Sequence, residues 1–102
     1  MKIIATLLAA ACIALAGTAQ ASEKLAQASG CTACHSMDKK LIGPSFKDVA
    51  AKYRGNKSAE AALIMKVKAG GKGVWGDIPM TPNAHVKDED IKAIVQWILS
   101  IK

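Results

Sequence analysis

Apolar residues follow two regimes along this chain. From Ile3 to Leu15 they form an almost unbroken run, opened by Met1 and Lys2 and closed by the small-x-small triplet Ala19-Gln20-Ala21. That layout is a secretory signal peptide, residues 1–21, with cleavage after Ala21. An uncleaved anchor is the rival reading, but spanning a bilayer takes about 17–25 apolar residues, more than the strongly apolar stretch offers. Cys12 raises lipidation as a further alternative; Ala9-Ala10-Ala11-Cys12 lacks the leucine expected three residues earlier, and more apolar sequence follows it.

From Ser22 onward the apolar positions recur at helical spacing. Ser22 to Ser29 reads as a short helix with Leu25, Ala26 and Ala28 inward, ended by Gly30. Phe46, Val49, Ala50 and Tyr53 predict a second helix from Phe46 to Tyr53. Leu63, Ile64 and Val67 give a third, Ala59 to Ala69, with Ser58 as its cap, Glu60 in its first turn and Gly70-Gly71 as its stop. The strongest stripe is Ile91, Ile94, Val95 and Ile98, in a last helix capped by Asp88 and reaching Ser100. Between the helices, Asp38 to Ser45 is a turn-rich loop expected to pass close to the cysteine motif described below. Gly70 to Val86, with four glycines and two prolines, is a long ordered loop of the kind that carries function. No alternating strand pattern occurs, so the fold class is all-α, a single domain over residues 22–102.

Export leaves 81 residues, with 13 basic and 8 acidic side chains. A domain of that size buries only about 60–65 % of its unfolded surface, so something besides the chain should supply core. Two cysteines are too few for a disulfide scaffold. The positive charge favours acidic partners and steers encounter. Clustered Arg and Lys interleaved with aromatics, the mark of a nucleic-acid reader, do not occur.

Those two cysteines fall in Cys31-Thr32-Ala33-Cys34-His35. C-x-x-C-H is the attachment signature of a c-type haem: two thiols form thioethers to the vinyl groups and the adjacent histidine reaches the iron. A redox dithiol is one alternative, but it belongs at a strand-to-helix junction that this chain lacks. A zinc site is another, but it needs a fourth ligand for which only His85 is available. Haem iron has a second axial position, open to a methionine, a histidine or nothing. Met37 is too near His35 to reach the opposite haem face, and Met65 lies within the third helix. Met80, held between Pro79 and Thr81-Pro82, is the expected distal ligand; His85 competes but sits at the loop exit.

The chain here resembles the small bacterial class I cytochromes c that carry electrons in the periplasm, especially those serving denitrification. The likeness covers Ser22 to Lys102 and rests on Gly30-Cys31-Thr32-Ala33-Cys34-His35, Ile42-Gly43-Pro44, Lys47 to Tyr53, Gly73-Val74-Trp75-Gly76, Ile78 to Asn83, and Gln96 to Leu99. The resemblance implies about four helices wrapped round one covalently bound haem c, with His35 proximal and Met80 distal. It implies that the Pro44 carbonyl accepts a hydrogen bond from the His35 ring, that the Trp75 indole contacts a propionate, and that Asn83 bonds near the methionine sulfur. Core packing for Trp75 and turn geometry for Asn83 are the plainer readings. Lys66 falls where the family places a basic residue near a propionate. Ala84 to Lys87 departs from the family, whose loop is shorter and lacks a histidine.

The implied role is a soluble, monomeric one-electron shuttle, not an enzyme. It would run between a quinol-oxidising membrane complex, or another donor, and a terminal reductase, oxidase or peroxidase. Its contacts with those periplasmic or membrane redox proteins would be transient and electrostatic, made near Lys39, Lys40 and Lys47. A haem-based sensor of small ligands, or a haem subunit of a larger redox complex, is the alternative.

Overall fold

The computed structural model describes residues 19–102. The expected signal peptide therefore lies almost wholly outside the described residues. Within them are four α-helices: α1 (residues 19–28), α2 (Phe46–Lys52), α3 (Ala59–Ala69) and α4 (Asp88–Leu99), with a 3₁₀ turn at Cys31–Ala33. The only β-type pairing among the described residues is an isolated bridge between Gly71 and Met80. The all-α class expected from the periodicity is what the chain adopts.

α4 is the central element and packs on both α3 and α2. Its Ile91, Ile94 and Val95 are fully buried. Ile91 and Val95 join Val86 in a cluster onto which Leu63, Ile64, Val67 and Leu99 close. A stripe spaced i, i+3, i+4 places these side chains on one helical face, so burying that face fixes how α3 lies across α4. Ala50 and Ala59 are buried as well, and their small side chains let the helices approach closely. α1 contributes Ala26, buried to 1 %, whereas Ala28, expected to face inward, is exposed.

α1 begins at residue 19 rather than at Ser22, and the caps of the other helices differ from expectation for local reasons. α3 takes no side-chain cap from Ser58, whose backbone is already helical (φ −89°, ψ −5°). The Ser58 hydroxyl donates instead to Asn56 Oδ1 at 2.8 Å, and the same oxygen accepts the Ser58 amide at 3.0 Å, an Asx-type turn. α4 is entered through Lys87, which holds the extended cap conformation (φ −61°, ψ 144°). Asp88 is already inside the helix, its carboxylate drawn 2.9 Å from Lys68 Nζ. α2 has a side-chain cap that the periodicity did not reveal: Ser45 Oγ accepts the Asp48 amide at 3.1 Å. Tyr53 stands just past α2 as its C-cap.

Candidate haem site

The cysteine motif is set by the end of α1. Gly30 takes a left-handed conformation (φ 89°) that turns the chain directly into Cys31–Ala33. The Cys31 carbonyl then accepts the amides of both Cys34, at 3.2 Å, and His35, at 3.0 Å. The two thiols thus stand on one tight turn, unpaired with each other and half-exposed. Burial pushes the Cys31 thiol above its usual range, outweighing the lowering effect of a backbone hydrogen bond. A redox dithiol needs the opposite, an attacking sulfur held as thiolate. Among the described residues no three His, Cys, Asp or Glu side chains converge to hold a bare metal ion. Both observations count against the dithiol and zinc readings.

His35 is held from three sides. Its Nδ1 lies 2.7 Å from the Pro44 carbonyl oxygen. A carbonyl only accepts, so Nδ1 is the donor, and in the neutral ring Nε2 is the nitrogen left with its lone pair. Phe46 stacks on the ring at 5.5 Å between centroids and 28° between planes. Phe46 in turn meets Trp97 of α4 edge-on at 5.3 Å. Gly43 comes so near that a Cβ there would sit 2.5 Å from His35 Cε1. The loop that carries Gly43 and Pro44 is bonded back to the motif by Gly43 N–H to the Cys34 carbonyl at 2.8 Å. Phe46 N–H to Ser36 and Lys47 N–H to Met37 add bonds of 2.9 Å and 3.1 Å. The expected approach of this loop to the motif is therefore made by hydrogen bonds.

Met80 sits on the glycine pair that ends α3. Its N–H donates to the Gly71 carbonyl at 2.8 Å and its carbonyl accepts the Gly71 N–H at 3.1 Å. A Cβ on Gly70 would lie 2.6 Å from the Met80 carbonyl, and Gly70 also has φ 75°. Gly70-Gly71 is thus the seat of the methionine loop as well as a helix stop, a role that periodicity alone does not display. Asn83 anchors the far side, with Nδ2 donating to the carbonyls of Val67 (3.0 Å) and Thr81 (3.2 Å). The Asn83 amide nitrogen thus bonds the end of α3 to the turn after Met80. Trp75 is 43 % exposed, with Lys52 Nζ 5.5 Å above its ring. Lys66 lies over Gly71, its Nζ 2.8 Å from where a Cβ would project. Met65 is 73 % exposed, a surface side chain, and His85 is exposed at the exit of the loop.

Leu41, Ile42, Val74, Trp75 and Ile78 are all exposed large apolar residues, and all lie in the two loops that carry Pro44 and Met80. Apolar side chains gathered in the loops that hold the donors fit a large apolar group, as do two free thiols and a histidine of fixed orientation. The residues present therefore fit a covalently attached haem.

The family model for cytochrome c matches residues 19–102, the whole described chain. The chain belongs to the cytochrome c family. It is 56 % identical to cytochrome c-551 of Allochromatium vinosum over 85 % of this chain and 93 % of the relative. It is 48 % identical to cytochrome c-552 of Nitrosomonas europaea over 92 % and 91 %. The crystal structure of wild-type Nitrosomonas europaea cytochrome c552 superposes with a TM-score of 0.76 at 48 % identity, over 78 % of this chain and 99 % of that one. This cytochrome is accordingly a small bacterial class I protein of the c-551/c-552 type. It is a periplasmic one-electron carrier with one covalent haem c, and not an enzyme.

Proposed function

We propose that Cys31 and Cys34 carry the thioether bonds, that His35 Nε2 and the Met80 sulfur take the two axial positions, and that Pro44, Trp75 and Asn83 complete the cofactor-binding set. The observation that carries this reading is the 2.7 Å bond from His35 Nδ1 to the Pro44 carbonyl. It orients the ring, leaves Nε2 as the donor nitrogen, and raises its basicity as a ligand. The bound haem supplies a one-electron couple. The chain's own residues fix ligand identity and exclude water, which together set the potential. A thioether sulfur and a pocket of low polarity both favour the ferrous state over the ferric.

Cleavage after Ala21 fits the signal-peptide pattern and delivers the domain to the compartment where the attachment is made. The mature protein is proposed to be a monomer that diffuses between a quinol-oxidising complex, or another donor, and a terminal reductase, oxidase or peroxidase. Exposed Lys39, Lys40 and Lys47, on and beside the loop that closes over His35, suit brief encounters with acidic partners.

The test is an optical spectrum of the purified protein in both oxidation states, with and without carbon monoxide. Low-spin spectra, a weak ferric charge-transfer band from sulfur ligation and no response to carbon monoxide are expected. A high-spin or readily ligand-shifted iron would remove Met80 from the ligand set and turn the reading to a small-ligand sensor.

A further inference from the structure

The last carbonyls of a helix have no partner within it and must be satisfied from elsewhere. At the end of α3 the Gly71 amide, which would otherwise serve the Val67 carbonyl, donates to Met80 instead. The Val67 carbonyl receives two donors from one residue, the backbone N–H of Asn83 at 3.1 Å and its Nδ2 at 3.0 Å. One position further on, Lys68 sends its ammonium out of the helix to the Val86 carbonyl at 2.7 Å. The same ammonium lies 2.9 Å from Asp88 Oδ1. The methionine loop is thus fastened to Gly71, just past the end of α3, at Met80 and to α3 itself at Asn83 and at Val86, and the last fastening is a single charged side chain.

The two contacts of Lys68 differ in weight. The Asp88 carboxylate is 85 % exposed, and ion pairs in that setting contribute little. The Val86 carbonyl is partly buried on a residue of the core cluster, and a charge-assisted hydrogen bond there is stronger than a neutral one. Val86 N–H also donates to the Asn83 carbonyl at 3.1 Å, so the Lys68 fastening continues directly into the turn that follows Met80.

We propose that Lys68 is a positioning residue for the distal ligand: by holding the Val86 carbonyl it closes the exit of the Met80 loop and keeps the methionine sulfur in one place. The proposal rests on the assignment of Met80 as that ligand. It follows that the helix-to-loop hydrogen bond, rather than the ion pair with Asp88, does the holding.

The holoprotein provides the test, in Lys68→Met, which keeps the aliphatic stem and removes the donor, Lys68→Arg, which keeps a donor, and Asp88→Asn, which removes only the ion pair. Added imidazole binds ferric iron only when the methionine loop opens, so its apparent affinity scales with the open fraction. Lys68→Met is expected to bind imidazole about tenfold more tightly than the parent, the weight of one charge-assisted hydrogen bond. Lys68→Arg and Asp88→Asn should stay within about twofold of it. Amide hydrogen exchange gives a readout independent of the iron: in Lys68→Met the Asn83 and Val86 amides exchange faster while those of Ile94 and Val95 keep their protection. Unchanged imidazole affinity with unchanged exchange at Asn83 and Val86 would overturn the proposal. So would an acceleration shared equally by Ile94 and Val95, which would make Lys68 a contributor to global stability only. A parent protein without the ferric sulfur band would refute the Met80 assignment itself, whatever the Lys68 variants do.

Discussion

Gly43→Ala isolates what holds the proximal histidine. The added methyl carbon would fall 2.5 Å from His35 Cε1, 2.8 Å from Nδ1 and 3.2 Å from Nε2, where ordinary contact begins at 3.4 Å. The ring must therefore shift by about 0.9 Å at its nearest atom, away from the position in which Pro44 and the stacked Phe46 hold it. Forcing a methyl against the ring costs about 1–3 kcal/mol. Any ring movement also stretches the 2.7 Å bond to Pro44, at a further cost of about 1 kcal/mol. For a domain of this size a loss of about 2–4 kcal/mol lowers Tm by roughly 10–30 °C. The assay is thermal unfolding of the holoprotein by circular dichroism, paired with the reduction potential. A weakened bond to Pro44 makes His35 a poorer donor, so the potential should rise on the order of tens of millivolts. Gly55→Ala is the control: nothing lies within 4 Å of its Cβ, but φ is +79°, so it costs about 1–2 kcal/mol in backbone strain alone. A Gly43→Ala protein that melts no lower than Gly55→Ala and keeps the parent potential would refute the close approach of Gly43 to the histidine.

Three further outcomes are expected. Ile94→Ala empties a position buried to 1 % between helices and should destabilise the holoprotein by about 2–5 kcal/mol in denaturant titration, with the sulfur band intact. Ser45→Ala removes the only side-chain cap seen on α2; a loss of about 0.5–2 kcal/mol is expected, and a neutral result would mean that water replaces the hydroxyl. The double variant Cys31→Ala, Cys34→Ala, made without attached haem, is expected to lose most of its helical circular dichroism. Its loops would be left with Leu41, Ile42, Val74, Trp75 and Ile78 uncovered, and a fully helical spectrum would show that the four helices need no added core.

The helices were legible because their apolar residues repeat at the helical period, and in α4 three of the four residues of the stripe, Ile91, Ile94 and Val95, are fully buried, with Ile98 partly so. Their ends were less so. Asp88 and Ser58 are residues that favour caps, but Asp88 is claimed by Lys68 and Ser58 by Asn56, and a competing side-chain contact cannot be read from spacing. The Ser45 cap has the local signature of a serine followed three residues later by an acid, and that signal in Ser45-Phe46-Lys47-Asp48 could have been used. The haem motif was legible because its chemistry is contiguous. What supports it was not, since Phe46 and Trp97 lie 51 positions apart and meet only once α4 crosses α2.

Both axial candidates turn out to be governed by glycine, and by opposite physics. Gly43 does not have a left-handed backbone; it is small because an imidazole fills the space a side chain would take. Gly70 combines a positive φ with a crowded Cβ direction, so conformation and space both exclude a substituent there. The proximal side is a chain of aromatic contacts, His35 on Phe46 on Trp97, that leads into α4. The methionine side is a loop tied by backbone and side-chain hydrogen bonds at Gly71, Val67 and Lys68. Such ties can open one at a time, whereas the aromatic contacts centre on Phe46, which is part of the buried core. Under stress the iron should therefore lose its sulfur before its nitrogen: in a denaturant titration the ferric sulfur band should disappear at lower denaturant than the helical circular dichroism. Coincident transitions would mean that the methionine loop and the α4 core form a single cooperative unit, and that the two sides of the site are equally firm.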